Sequence, residues 1–194
     1  MIAIIDYSTG NLRSVENLFK RIGVQYIITS DPKEICSASH VLLPGVGAAG
    51  SAMEKLQQRH LSDLIRSLTV PTMGICLGMQ LLCSWSEEDN TECLNIFPNR
   101  VEKMQQREGI KIPHVGWNRI ENLTSPLFNN IEQGSYVYFV HSFSADINHC
   151  TIATTLHDAP FSASLNNKNF YGCQFHPEKS GAIGEQIMQN FVLL

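Results

Sequence analysis

The stretch 71–82, P-T-M-G-I-C-L-G-M-Q-L-L, constrains the fold of this chain more than any other. It predicts a short buried strand, a tight turn at Cys76 and the first turns of a helix. Gly74 and Gly78 flank Cys76, and G-x-C-x-G is the thiol form of the nucleophile elbow, in which small residues permit a sharp strand-to-helix turn. The helix start favours the reactive thiolate. The alternative is a buried, unreactive cysteine in a glycine-flanked turn.

The first half of the chain alternates strand and helix patterns, which predicts a parallel sheet with helices on both faces. In chain order, the expected elements are strand 1–6, helix 12–22, strand 25–29, a short helix opening at Asp31-Pro32, strand 41–43, helix 51–68 and strand 71–76. Both Cys76 and the loop 44–47 then lie at carboxyl ends of strands, where such sheets bind ligands.

The second half contains shorter runs separated by turns. The runs are 100–104, 117–120, 136–140, 150–155 and 170–175, and they predict a mixed or antiparallel extension of the same sheet. Apolar residues at helical spacing from Ile183 to Phe191 predict a closing helix. No repeat or linker interrupts the chain, so we expect an α/β fold with an open, mostly parallel sheet in one domain, residues 1–194.

Composition narrows the function classes. The formal net charge of −4 gives no basic footprint for nucleic acid. No apolar run reaches membrane-spanning length, and the apolar start of the chain predicts a first strand and not a signal peptide. The six cysteines have no zinc-like spacing, so we expect free thiols, no metal and a cytoplasmic location.

A cysteine nucleophile needs a base and a group that orients the base. Among seven histidines, His176 is the best candidate because His176-Pro177-Glu178 follows an apolar run directly. Proline favours extended geometry at His176, and residues i and i+2 of an extended segment face the same way. Glu178 is therefore expected to hold one ring nitrogen while the other faces Cys76. Taken alone, a His-x-Glu sequence would more often be a surface histidine and a solvated carboxylate. With an elbow cysteine at a strand end in the same chain, the triad is the favoured interpretation.

Attack on a carboxamide places negative charge on its oxygen, which backbone N–H groups stabilise. We expect one donor to be the N–H of Leu77, directly after the nucleophile. A second donor is expected from Gly45, Val46 or Gly47, where glycines allow close approach and unusual dihedral angles. The alternative for this loop is an ordinary strand-to-helix turn.

These motifs together resemble the class I, or triad, glutamine amidotransferases, which have a flavodoxin-like fold. The resemblance spans nearly the whole chain and rests on P-G-V-G at 44–47, G-I-C-L-G-M-Q at 74–80 and Q-F-H-P-E-K-S at 174–180. Within the family, the chain is most similar to the HisH-type glutaminase branch of the imidazole glycerol phosphate synthases. Met79 and the segment P-H-V-G-W-N at 113–118 carry that closer resemblance.

The resemblance also implies roles for residues whose types alone are ambiguous. Gln80 would hold the substrate L-glutamine, Glu88 would bind its α-amino end, and the backbone around His141, Ser142 and Phe143 would grip its carboxylate. The resemblance implies a partner-contacting face formed by Asn11, Arg13, Trp117 and Lys179. Without it, Gln80, Glu88 and Lys179 would be ordinary surface side chains and Trp117 a core residue.

The implied activity is hydrolysis of glutamine to glutamate and ammonia, with no cofactor. The implied partner is a (β/α)8-barrel cyclase subunit of the HisF type, which uses the ammonia to make imidazole glycerol phosphate and an aminoimidazole carboxamide ribotide in histidine biosynthesis. One alternative is a stand-alone cysteine hydrolase, although the intracellular-protease type has histidine where this chain has Leu77. Others are a paralogue that supplies ammonia to a sugar-modifying synthase and a non-catalytic binding subunit.

Overall fold

A computed structural model describes residues 1–8, 12–106 and 109–194. The expected partner contact Asn11 lies outside these residues. The helices are α1 Leu12–Arg21, α2 Pro32–Ser37, α3 Ala49–Gln58, α4 Leu61–Ser67, α5 Leu77–Leu82 and α6 Gly181–Val192, with short 3₁₀ turns at Glu88–Asn90, Pro126–Phe128 and Pro177–Lys179. The strands are β1 Ile2–Ile5, β2 Tyr26–Thr29, β3 His40–Gly45, β4 Thr72–Cys76, β5 Trp85–Ser86, β6 Thr91–Glu92, β7 Arg100–Lys103, β8 His114–Arg119, β9 Tyr136–His141, β10 Phe143–Ala145, β11 Thr151–His157, β12 Ala159–Asn167 and β13 Phe170–Cys173.

The predicted parallel sheet is confirmed. Its centre has the strand order β2-β1-β3-β4-β13, and every neighbouring pair in this group is parallel. Strands β12, β10, β7, β5 and β6 continue the sheet, and β11 pairs with β12, so eleven strands join it among the described residues. Gly45 lies opposite Cys76 in the register of β3 and β4, so the predicted loop and the predicted nucleophile share one edge of the sheet.

Helices cover both faces of the sheet because its central strands are apolar on both sides. Ala3 and Ile5 of β1 pack into the core beneath α2, α3, α4 and α5. Ile2 and Ile4 of the same strand pack into the core beneath α1 and α6. The strictly alternating direction of strand side chains produces this division.

The C-terminal half differs from the expectation in its strands. Strands β8 and β9 pair only with each other among the described strands and form a separate two-stranded sheet. A bridge between Glu121 and Thr154 ties this small sheet to β11. Strands β10 and β12 were also not expected. Their many serine and asparagine residues obscure the apolar alternation of Phe161, Ala163 and Leu165, which are buried.

The single helix expected over 51–68 is two helices. His60 adopts a left-handed backbone conformation with φ +57° and separates α3 from α4. The interruption reorients the chain so that Leu56 of α3 and Leu61 of α4 both enter the same core. Among the described residues, no helix is long and apolar enough to span a membrane.

Candidate active site

Cys76 occupies a strained turn between β4 and α5. Its backbone has φ +54° and ψ −112°, a conformation that costs a non-glycine residue about 1–3 kcal/mol and is held only by its surroundings. The surroundings here are backbone in direct contact. A Cβ on Gly78 would lie 1.8 Å from the Leu43 carbonyl oxygen, and a Cβ on Gly74 would lie 2.6 Å from the Gly78 backbone. The glycines of G-x-C-x-G therefore let α5 pack directly against β3 and β4.

His176 and Glu178 meet as the sequence predicted. His176 Nδ1 lies 2.8 Å from Glu178 Oε1, and the side chains are only 5% and 6% exposed. The main chain of His176 is fixed to β9, because its N–H donates to the Tyr138 carbonyl. Ser180 Oγ donates to the His176 carbonyl at 2.6 Å and accepts from the Tyr138 N–H. The extended segment after β13 thus holds the imidazole rigidly.

The imidazole is in an environment that favours its charged form. Burial lowers the pKa of His176, but interactions with Cys76 and Glu178 outweigh burial and raise that pKa to about 10. The other ring nitrogen, Nε2, is buried without a hydrogen-bond partner among the described residues. Cys76, His176 and Glu178 therefore form one electrostatic unit, in which the His176 ring interacts with the Cys76 sulfur and with the Glu178 carboxylate.

A cavity of about 390 Å³ opens onto this unit, a size ordinary for a small-molecule site. Of the residues that the sequence analysis singled out, these line it: Val46, Gly47, Cys76, Leu77, Gln80, Glu88, His141, Ser142, Phe143, His176 and Lys179. Gly45 and Glu178 lie instead on a much smaller adjoining cavity. The structure thus brings nearly all the predicted substrate-contacting positions to one place.

Two segments present backbone near the thiol. Leu77 is the first residue of α5 and lines the cavity beside Cys76. Gly47 has φ +97°, which an L side chain rarely adopts. Gly45 is packed tightly, since a Cβ there would lie 2.6 Å from the Gly78 nitrogen. Of the four candidate oxyanion positions, Leu77, Val46 and Gly47 line the main cavity, and Gly45 lines the small adjoining one.

The side-chain amide of Gln80 is held by two hydrogen bonds to other residues of the chain. Its Nε2 donates to the Phe143 carbonyl at 3.0 Å and to Gln174 Oε1 at 2.9 Å. With both amide hydrogens used, only its side-chain carbonyl oxygen remains to accept from a ligand. Gln174 Nε2 lies 3.9 Å from Cys76 Sγ. No role was predicted for Gln174, although it begins the Q-F-H-P-E-K-S motif, two residues before His176.

Glu88 supplies a carboxylate to the cavity wall. Its Oε2 accepts from the Ala49 N–H at 2.8 Å, which fixes it beside the first residue of α3. Burial raises the pKa of Glu88, the Ala49 hydrogen bond opposes the rise, and neighbouring Asp89 adds to it. A partly buried acceptor of this kind is suited to an ammonium group.

Three of the expected partner contacts can be located. Arg13 is exposed on α1. Trp117 on β8 is 55% exposed and not a core residue. Trp117 and Lys179 converge on the Tyr138 ring, with distances to its centroid of 6.1 Å from the Trp117 ring and 5.7 Å from Lys179 Nζ. Among the described residues, no group of three or more histidine, cysteine, aspartate or glutamate side chains is placed to hold a metal ion.

Comparison with known proteins identifies relatives over the full length. The family model described as glutamine amidotransferase class-I matches residues 3–194. The protein named imidazole glycerol phosphate synthase subunit HisH from Bacteroides thetaiotaomicron is 46% identical over 192 residues, covering 98% of each chain. Imidazole glycerol phosphate synthase subunit HisH 2 from Legionella pneumophila is 45% identical, covering 100% of this chain and 98% of that protein. The solved structure of PurLQS from Thermotoga maritima has a TM-score of 0.71 at 18% identity, covering 99% of this chain and 97% of that one, and it supports the fold.

Proposed function

Because this chain belongs to the class-I glutamine amidotransferase family, we propose that it is the glutaminase subunit of an imidazole glycerol phosphate synthase. In this role, it hydrolyses L-glutamine and passes ammonia to a separate (β/α)8-barrel cyclase subunit in a cytoplasmic heterodimer. The observation that carries the proposal is the buried Cys76–His176–Glu178 unit facing a cavity of about 390 Å³. Full-length relatives at 45–46% identity carry the name of that synthase's HisH subunit. The whole chain, residues 1–194, serves as one amidotransferase domain.

The reaction has two halves. The Cys76 thiolate attacks the side-chain amide carbon of glutamine, and a C–S bond forms. The His176 imidazolium then gives its proton to the amide nitrogen, the C–N bond breaks, and ammonia leaves a glutamyl thioester. Neutral His176 next takes a proton from water, which attacks the thioester carbon. The C–S bond breaks, releasing glutamate and restoring the thiolate and the imidazolium.

The remaining residues position the substrate and stabilise its charges. The N–H of Leu77 and one N–H from Gly45, Val46 or Gly47 stabilise the oxyanion of each tetrahedral intermediate. Glu88 accepts from the α-ammonium group, Gln80 accepts through its side-chain oxygen, and the backbone of 141–143 binds the carboxylate. Glu178 holds the His176 ring. No step uses a metal or an organic cofactor.

The partner face is assigned to Asn11, Arg13, Trp117 and Lys179. The exposure of Trp117 supports this assignment, since a large aromatic side chain outside a core is typical of interface anchors. The six free thiols fit a reducing compartment such as the cytoplasm.

Steady-state kinetics test the proposal. We expect the chain alone to bind glutamine but hydrolyse it slowly, because a peptide flip in the loop 44–47 withdraws one oxyanion donor, which costs roughly 10²–10³-fold in rate. The cyclase partner with its acceptor substrate should restore turnover mainly through kcat, since the donor acts in the transition state. Full activity without the partner would indicate a stand-alone hydrolase. Stimulation only by a sugar-modifying synthase would indicate the paralogous ammonia donor.

A further inference from the structure

His114 is a buried histidine that lies behind His141, one of the residues that line the cavity. His114 begins β8 and lies opposite His141 in the β8–β9 register. Its Nδ1 is 3.0 Å from His141 Nε2, and the two residues are 4% and 7% exposed. The His114 ring stacks on His157 and Phe139, with centroid distances of 4.0 and 4.8 Å. The proposed reaction assigns no task to His114.

Asn118, which contacts His114 on the side away from His141, determines which ring nitrogen of His114 carries the proton. Asn118 Oδ1 accepts from the Arg119 N–H at 2.8 Å, and Asn118 Nδ2 donates to the Leu156 carbonyl at 3.0 Å. These partners set the orientation of the Asn118 amide, so its Nδ2, 3.2 Å from His114 Nε2, is the donor of that contact. His114 Nε2 must then accept, and in a neutral ring the proton lies on Nδ1, which faces His141.

The contact between His141 and the Phe143 carbonyl independently indicates that His114 donates to His141. His141 Nδ1 lies 2.8 Å from the Phe143 carbonyl. A carbonyl only accepts, so His141 carries its proton on Nδ1 and offers Nε2 as the acceptor for His114. The Phe143 carbonyl also accepts from Gln80, which bonds Gln174, whose amide faces the Cys76 thiol. The hydrogen bonds run without a break from β8 to the nucleophile.

We propose that Asn118, His114 and His141 form a directed hydrogen-bond relay that fixes the glutamine-binding wall at 141–143, with His114 as its positioning residue. The assignment of residues 141–143 as a glutamine-binding wall rests on the proposed function. The relay requires both rings to be neutral, and burial, the largest cause, lowers the pKa of His114 to about 3 and that of His141 to about 4. A proton on His114 Nε2 would oppose the amide hydrogens of Asn118.

A matched pair of substitutions separates the hydrogen bond from packing. Leucine and asparagine have nearly the same shape, and both remove the ring stacking of His114. His114→Asn keeps an N–H near the former Nδ1 position, whereas His114→Leu leaves His141 Nε2 without a donor. In the complex with the cyclase partner, we expect His114→Leu to lower kcat/KM for glutamine by about 5- to 150-fold relative to His114→Asn. The loss should appear mainly in KM, because the wall contacts a substrate group that does not react.

Nitrogen NMR of the imidazoles gives a readout that does not depend on activity. In the wild-type chain at pH 7, His114 and His141 should both be neutral with the proton on Nδ1, and His141 should become a mixture of tautomers in His114→Leu. Equal KM values for the two variants, or a wild-type proton on Nε2 of either ring, would overturn the relay. If neither variant folds, the wild-type spectrum alone decides. Absence of glutamine hydrolysis by the wild-type chain in the complex with its cyclase partner and acceptor substrate would refute the proposed function, while the spectrum would still test the relay.

Discussion

Gly78→Ala should damage the active site more than it damages the fold. Gly78 is the second residue of α5, and a Cβ there would lie 1.8 Å from the Leu43 carbonyl oxygen and 2.9 Å from the Leu43 carbonyl carbon. Real Cβ atoms essentially never approach closer than 3.0 Å, so the two elements must separate by at least 3.0 − 1.8 = 1.2 Å. Leu43 lies in central strand β3 and has no rotamer that removes its carbonyl.

Two effects set the change in the free energy of unfolding. Alanine favours a helix over glycine by up to about 1 kcal/mol, and forced overpacking costs about 1–3 kcal/mol or more. The net loss is therefore about 0–3 kcal/mol or more. The displacement acts on the helix that begins directly after Cys76, and a misplacement of about 1 Å costs roughly 10²-fold in rate. The expected signature is a kcat reduced roughly 10²-fold in protein that is still folded, which a stability loss of this size does not by itself produce.

Urea unfolding and glutaminase kinetics in the partner complex measure the two quantities. Gly50→Ala in α3 is the comparison variant, because it gives the same helical preference and its Cβ meets an exposed side chain instead of backbone. Asp89 Oδ2, at 2.9 Å, can turn away, and Asp89 Cβ, at 3.0 Å, needs to shift by only a few tenths of an ångström. The control should keep its unfolding free energy near or above that of wild type. If Gly78→Ala matched Gly50→Ala in both unfolding and kcat, the argument from close backbone packing would be refuted.

Three further predictions concern the reactive groups. Cys76→Ala should abolish glutamine hydrolysis while a pull-down shows retained partner binding; near-wild-type turnover would remove the nucleophile assignment. His176→Ala should lose about 10²–10⁴-fold in rate. Glu178→Gln should reduce the rate less than His176→Ala, but it should shift the alkaline limb of the kcat/KM profile to lower pH. Glu178 helps raise the pKa of His176 to about 10, and the His176 imidazolium is the proton donor. An unchanged alkaline limb would show that Glu178 does not affect the His176 pKa. Brief labelling with a glutamine-like electrophile and peptide mapping should find Cys76 first, since burial raises the pKa of the other buried thiols, Cys83, Cys93, Cys150 and Cys173. Preferential labelling of the exposed Cys36 or of one of those four would contradict this.

Local sequence determined the elements that carry the chemistry. The elbow at Cys76, the carboxyl ends of β3 and β4, and the pairing of His176 with Glu178 were all predictable. Each depends on short-range rules, namely glycine beside a tight turn, alternation in extended chain, and the restriction that Pro177 places on the residue before it.

Other features required the tertiary structure. The separation of β8 and β9 from the main sheet depends on long-range pairing, which a short apolar run does not specify. The left-handed residue His60 carries no glycine or proline signal, so the break between α3 and α4 was not predictable.

Only the fold brings together residues far apart in sequence. Gln80, Phe143 and Gln174 meet through two hydrogen bonds that span 63 and 94 residues of chain. By residue type alone each is an ordinary polar or aromatic residue, and even the roles that the resemblance implied for Gln80 and Phe143 did not include these contacts, because a side chain's hydrogen-bond partners are set by the packing of distant elements. His114 became interpretable for the same reason. Asn118 lies only four residues away in β8, but the Leu156 carbonyl that orients its amide, and the Phe143 carbonyl beyond His141, come from other parts of the chain.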